Sequence, residues 1–385
     1  MMRSLGVIVE YNPMHNGHLY HLKKSKELTG AEVVIAVMSG HFTQRGEPAI
    51  ATKWERTKMA LDGGVDLVVE LPYAYSNQSA DLFALGAISI LSHLKVDEVV
   101  FGSESGDINH LLQLAKQLED VELNDKIKAQ VKKGHSLPQA LKKSDSNYTG
   151  SNNTLGISYI KAKGVLNAPF ILHTFARAHS NHTDTEAHHP NIASATAIRK
   201  KIISGDDYLN FTPYAITAEA YQTWASHYPY LRHKLLTTPI DQLRHIHDMI
   251  EGIENRLVKA AKSSDDFDTF MKNIKTKRYT KTRLQRICAN VLTGTMKKDM
   301  TNWQLSSGAP YVRVLGFNDQ GARYLKHVKK QVEVPIYSSF NKDAHPMFLH
   351  ELKVTAAYGS ILSPASLTDL LEQEYKQTPI RGRST

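Results

Sequence analysis

The segment Gly6-Val-Ile-Val-Glu-Tyr-Asn-Pro-Met-His-Asn-Gly-His18 constrains the fold of this chain more than any other. Leu5 to Val9 is an unbroken apolar run, which reads as a strand buried on both faces. A turn follows. His15-Asn16-Gly17-His18 then opens a helix expected to run to about Thr29. Two histidines three residues apart share one face of that first turn, where free backbone N–H groups and the positive dipole end attract anions. Gly17 between them lets a ligand approach the backbone. The first strand-to-helix turn of an α/β domain is also where nucleotides bind. The arrangement suits a triphosphate attacked at its α-phosphorus, because donors stand ready where negative charge builds. The alternative is that His15 and His18 are ordinary surface residues after a strand.

The strand–helix alternation continues. Glu32–Met38, Asp66–Glu70, Glu98–Phe101 and Phe170–His173 are further short, β-rich apolar runs. Helical stretches at Lys53–Asp62, Ser79–Leu94, Ile108–Leu118 and Leu155–Val165 lie between them. This predicts a Rossmann-like α/β domain with a parallel sheet covered on both faces, over residues 1–210. Residues 211–300 read as a largely helical, basic region, with apolar residues at helical spacing in Ile240–Leu257 and Arg283–Leu292. Residues 301–385 read as a small α/β element. In it, Tyr311–Leu315, a helix over Asp319–Val328 and Val332–Ser338 form a βαβ unit, and Gln377–Thr385 is an unstructured tail.

Composition sets limits on chemistry. Cys288 is the only cysteine, which excludes an internal disulfide and a multi-thiolate zinc site. It lies in an apolar helical context, so it reads as core rather than nucleophile. No nucleophilic triad is visible. The loop His179–Pro190 holds four histidines, but their irregular spacing argues against a metal centre, and none is expected. No apolar run is long enough to span a bilayer, and no signal-peptide pattern precedes the first strand. The expected compartment is the cytoplasm, with no membrane association and no obligate protein partner evident.

The net charge is +9, which suits a nucleic-acid partner. The density peaks at Lys272–Arg286, where Lys277, Arg278, Lys281, Arg283 and Arg286 accompany Tyr279. Cations interleaved with an aromatic fit phosphate neutralisation plus base stacking, so these residues are candidates for RNA contact. A solvated helix face is the plainer alternative. Ser194-Ala-Thr-Ala-Ile-Arg199 starts another helix, with Ser194 as its cap and Arg199 one turn inside, able to hold phosphates. His41, Gln44, Arg45 and Lys53 follow the second strand at the same sheet end, on the acyl or RNA side of a cleft.

His15-Asn16-Gly17-His18 resembles the signature of the nucleotidyltransferase superfamily. Val9–Pro13, Met38-Ser39-Gly40-His41-Phe42-Thr43-Gln44-Arg45-Gly46-Glu47-Pro48-Ala49, Val65–Pro72, Phe101–Glu104, Ser151–Gly156 and Lys275–Thr280 narrow the resemblance to the bacterial tRNA(Met) cytidine acetate ligase family. Met14 stands where Phe is usual, and His41 where a smaller polar residue is common. The resemblance implies an ATP-dependent ligase. Acetate and ATP give acetyl-adenylate and pyrophosphate, and the acetyl group passes to N4 of the wobble cytidine (C34) of elongator tRNA(Met). Mg²⁺ accompanies ATP. His15, His18 and Arg199 are the implied catalytic residues. The implied ATP-binding residues are Val7, Ile8, Val9, Glu10, Tyr11, Asn12, Pro13, Met14, His15, Asn16, Gly17, His18, Leu19 and Tyr20, with Gly102, Arg177 and one of Asn152 and Asn153. Two other readings stay open from the residues alone: an adenylyltransferase acting on a phosphate-bearing small molecule, and an RNA-binding protein with a vestigial nucleotide site.

Overall fold

The computed structural model describes residues 2–118, 120–133, 137–144, 150–176, 190–216, 221–250, 252–340 and 343–383. Its centre is one eight-stranded sheet. Five strands come from the N-terminal half: β1 (Ser4–Val9), β2 (Val33–Ser39), β3 (Leu67–Leu71), β4 (Glu98–Ser103) and β5 (Ile171–Ala176). They are mutually parallel, in the order β5-β4-β1-β2-β3. The inner strands are covered on both sides, whereas the edge strand β5 is partly exposed. In β2, Val34, Ala36 and Met38 enter one core while Val33, Ile35 and Val37 enter the other. This is why these strands read as continuous apolar runs rather than alternating ones.

The chain winds from β1 through β2 to β3 on one side and then crosses back to place β4 on the other side of β1. The order therefore reverses between β1 and β4. A crevice opens at the carboxyl ends of strands at such a point.

The sheet does not stop at residue 210. β6 (Val312–Phe317) joins β3 antiparallel, β7 (Ile336–Tyr337) pairs with β6 in parallel, and β8 (Ile380–Arg381) also pairs with β6. The expected βαβ unit is present, with its helix at Asp319–Val328, but it extends the main sheet. The stretch expected as an unstructured tail supplies β8, because the free edge of β6 accepts a further strand there. Between these parts, helices Trp224–Thr237, Ile253–Ser263, Phe267–Ile274 and Lys281–Thr293 pack together, with the Trp224 and Phe267 rings stacked 4.8 Å apart. The helical spacing in Ile240–Leu257 does not give one helix. Ile240–Leu243 ends early, and Asp248 (φ 66°) and Gly252 (φ 75°) turn the chain before Ile253.

A buried ion cluster ties the C-terminal elements to β3. Lys53 Nζ lies 2.8 Å from Glu70 and 2.9 Å from Glu374, while Arg313 lies 2.9 Å from Glu70 and 2.7 Å from Glu374. Two cations thus balance two anions, all four side chains essentially without solvent contact. Burial alone would raise the pKa of Glu374, but Arg313 and Lys53 hold it well below the usual carboxylate range. The neighbouring Glu351 is pushed up to about 8 by burial and by the Glu70 carboxylate, which favours its neutral form beside the cluster.

Removing one member strands an uncompensated charge in the interior. Arg313→Met is expected to lower unfolding free energy by about 3–5 kcal/mol in urea denaturation. Lys376→Ala, which breaks an exposed pair with Glu372, should leave the midpoint within error.

Candidate nucleotide site

β1 delivers the chain to the crevice at Val9. The turn Glu10–Met14 is then fixed from several sides. Asn12 Oδ1 accepts the Ile50 N–H at 2.7 Å. Thr212 Oγ1 donates to Met14 O at 2.7 Å. Arg56, fully buried, donates to Glu10 O (2.7 Å), Ser39 O (3.0 Å), Ala51 O (3.1 Å) and Gly40 O. One guanidinium therefore clamps the exits of β1 and β2, since its planar fork can serve several carbonyls at once. Nothing in the local sequence pattern around Arg56 signals that task.

His15 is the N-cap of helix Asn16–Thr29. Its backbone is extended (φ −148°, ψ 172°), and its Nδ1 accepts the Gly17 N–H at 3.0 Å. The neutral imidazole then carries its proton on Nε2 and can donate from there. The His18 ring lies 3.8 Å from the His15 ring at 30°, and Tyr11 meets His18 edge-on at 5.0 Å. A Cβ on Gly17 would sit 2.8 Å from His15 Cε1, so glycine here serves the His15 cap as well as ligand approach. Asn16 faces away, donating to Asn191 O (2.9 Å) and Asn210 O (3.0 Å), and ties the helix start to the segment before and after Arg199.

These residues face a cavity of about 250 Å³. His15, Gly17, His18 and Tyr20 line one side, and Ile8, Val9, Glu10, Tyr11 and Asn12 lie at its base. Gly102 and Asn152 line it, with an apolar wall of Phe83, Phe101, Leu155 and Tyr159. Val7 and Met14 are core residues, and Pro13 and Leu19 are also off the cavity lining. The two asparagines have different tasks. Asn153 Oδ1 accepts the N–H groups of Glu104 (3.0 Å) and Ser105 (3.1 Å), pinning the exit of β4. Asn152 lines the cavity, held by Glu104, which accepts its N–H and its Nδ2 at 3.0 and 2.8 Å. Glu104 and the aromatic wall were not legible as site residues, since their partners lie some 50 positions away.

Ser194 caps helix Ala195–Ser204 by accepting the Ala197 N–H at 3.0 Å. Arg199 on that helix donates to Asn12 O (2.9 Å) and Glu47 Oε2 (3.0 Å) at the cavity edge. Arg45 also lines the cavity, and among the described residues its guanidinium has no hydrogen-bond or ion-pair partner. Burial raises the pKa of Glu10, the Gln44 N–H and the Arg45 charge oppose the rise, and Glu47 reinforces it.

Other expectations fall elsewhere. Arg177 and the histidines of 179–189 lie outside the described residues. His41 and Lys53 do not line the cavity: Lys53 is in the ion cluster, and His41 stacks on Tyr358 at 4.4 Å, with burial lowering its pKa to about 4. Tyr279 corrects the stacking expectation. It is buried and donates to Ile250 O at 3.1 Å, while Arg283 lies over its ring at 5.1 Å. Arg286 is also buried and donates to Gln44 O, supporting the loop that carries Arg45. Lys277, Arg278 and Lys281 are exposed. Cys288 is core, and burial pushes its thiol up.

Gly17→Ala tests the cap. It should cost about 0.5–2 kcal/mol in thermal or urea unfolding, the value of a lost N-cap. It should also weaken nucleotide binding at least tenfold in calorimetry.

The profile of the HIGH Nucleotidyl Transferase family matches residues 2–374. The tRNA(Met) cytidine acetate ligase of Geobacillus sp. (strain WCH70) is 40% identical, with 98% of this chain and all of the relative aligned. That of Bacillus subtilis (strain 168) is 40% identical over 99% of this chain and 97% of its own length. Among solved structures, apo Thermotoga maritima TmcAL superposes over the full length of both chains with a TM-score of 0.89 at 29% identity. The same protein solved with alpha-thio ATP gives a TM-score of 0.88.

Proposed function

The chain belongs to the HIGH nucleotidyl transferase family and, within it, to the tRNA(Met) cytidine acetate ligases, and from that membership we propose a two-step, ATP-dependent acetylation of tRNA. In the first step, acetate carboxylate attacks the α-phosphorus of ATP and pyrophosphate leaves. In the second, the N4 amine of the wobble cytidine of elongator tRNA(Met) attacks the acetyl carbon and AMP leaves. The observation that carries the reading is the close His15–His18 pair, rings 3.8 Å apart, at a helix start on a cavity shared with Arg199, Gly102 and Asn152.

Each side chain has a task in this reading. The first step moves no proton, so rate comes from positioning and charge stabilisation. His15 and His18 donate to the α-phosphate as its charge grows. The helix N-terminus adds its dipole. Arg199 meets the departing pyrophosphate, sharing its fork with Glu47. Gly102 and Asn152 seat the nucleoside against Phe83, Phe101, Leu155 and Tyr159. Arg45, with its uncommitted guanidinium, holds the acetate carboxylate. Mg²⁺ bound with the triphosphate would neutralise part of its charge beside His15, His18 and Arg199.

Among the described residues, no helix is long and apolar enough to cross a membrane. With tRNA as its substrate, the enzyme works in the cytoplasm. Lys277, Arg278 and Lys281 take the tRNA backbone as sequence-independent phosphate contacts. Sequence choice then falls to other groups, since Tyr279 is not free to stack.

Two outcomes check this. His18→Ala should lower acetate-dependent turnover by roughly 10²–10³-fold while tRNA binding in filter assays survives. A protein that merely binds RNA through a vestigial site would lose nothing. Replacing Lys277, Arg278 and Lys281 together with Ala should weaken tRNA binding. The slope of log affinity against log salt should fall by about one for each phosphate contact removed.

A further inference from the structure

A carboxylate is an unexpected lining for a cavity that takes a polyanion. Two acidic side chains are there, Glu10 and Glu47. Glu47 is committed, 3.0 Å from Arg199. Glu10 is not: its Oε1 accepts the Gln44 N–H at 2.7 Å, and among the described residues no cation lies within ion-pair distance of it. It sits at the end of β1, on the cavity shared with His15 and His18, where the reacting phosphorus belongs.

We infer that Glu10 is the general base of the acetyl-transfer step, taking the proton that the attacking exocyclic amine must lose. This rests on the two-step reading above. In that step the N4–C bond forms, the acetyl C–O bond to phosphate breaks, and AMP leaves with the bonding electron pair. One N4–H proton passes to the Glu10 carboxylate and later to solvent, so the step needs no further reactant. Adenylation of acetate moves no proton. A base in this cavity therefore has a use in one half-reaction alone.

The surroundings suit a base. Burial raises the pKa of Glu10 from the ordinary carboxylate value, which makes the ionised carboxylate a stronger proton acceptor. The charged and titratable groups facing it are Arg45 and Glu47 on the loop after β2, Arg199, Arg56 (which donates to the Glu10 backbone carbonyl), Tyr159, and the two motif histidines. All of them remain in a Glu10 variant, so a pH limb that disappears with the carboxylate belongs to Glu10. As the base must be ionised, transfer should rise with pH through the Glu10 pKa and then level.

Glu10→Gln keeps an oxygen to accept the Gln44 N–H and removes the basicity. Two rates separate the roles: acetate-dependent pyrophosphate–ATP exchange, and single-turnover transfer from synthetic acetyl-adenylate to unmodified tRNA(Met). The expected result for Glu10→Gln is transfer slowed about 10²-fold or more, with its rising pH limb lost, and exchange reduced less than tenfold. Glu10→Asp, which keeps a carboxylate, should retain the limb. Equal loss in both rates would overturn the inference and make Glu10 a nucleotide-positioning residue. No loss in either would make it a loop anchor and overturn it as well. If the wild-type chain itself transfers no acetyl group from acetyl-adenylate, the two-step reading fails and the inference falls with it.

Discussion

The contact on which the site depends is the His15 imidazole accepting the Gly17 N–H across the first turn of the helix after β1. It fixes three things together. The first-turn donors are closed within the protein, Gly17 N–H on His15 Nδ1, His18 and Leu19 N–H on His15 O and Asn16 N–H on Phe211 O, so a ligand meets the helix dipole and the two imidazoles. The His15 ring is held in one tautomer, close against the His18 ring at a 30° tilt. Position 17 must be glycine, because any Cβ there would collide with the ring that caps it. The motif is thus a self-consistent piece of local structure before it is a catalytic one. The sheet order then places it at the one crevice where strands diverge.

What holds that crevice rigid comes from far along the chain. Arg56 clamps the ends of β1 and β2, and the segment after residue 190 returns to bind Asn16, Met14 and Asn12. The ion cluster of Lys53, Glu70, Arg313 and Glu374 locks β6 and the final helix against β3. Burying four charges is costly, and replacing such a cluster with apolar groups is often neutral or stabilising. The cluster joins β6 and the final helix to β3 through four ion pairs, and a net gain in stability does not follow from their presence.

The parts legible in the sequence were those with a local period. β1 to β5 announced themselves as short apolar runs between helical stretches, and the helix starts as His15 and Ser194 followed by amphipathic turns. The sharing of work between Asn152 and Asn153 was not legible, because Glu104 decides it from 48 residues away. Nor was the burial of Tyr279, which looked like an exposed aromatic among cations but packs beneath Arg283. The docking of β6 against β3 depends on a pair of strands more than 240 residues apart, and no spacing rule reaches that far. Composition could count the charges of the ion cluster but not assemble them.

The measurement that tests the account most directly is transfer of radiolabelled acetate by the purified chain into tRNA that lacks prior modification, with and without ATP. The account predicts label in tRNA only when ATP is present, recovered after nucleoside digestion as N4-acetylcytidine. A well-folded protein that binds ATP but leaves tRNA unlabelled would contradict it.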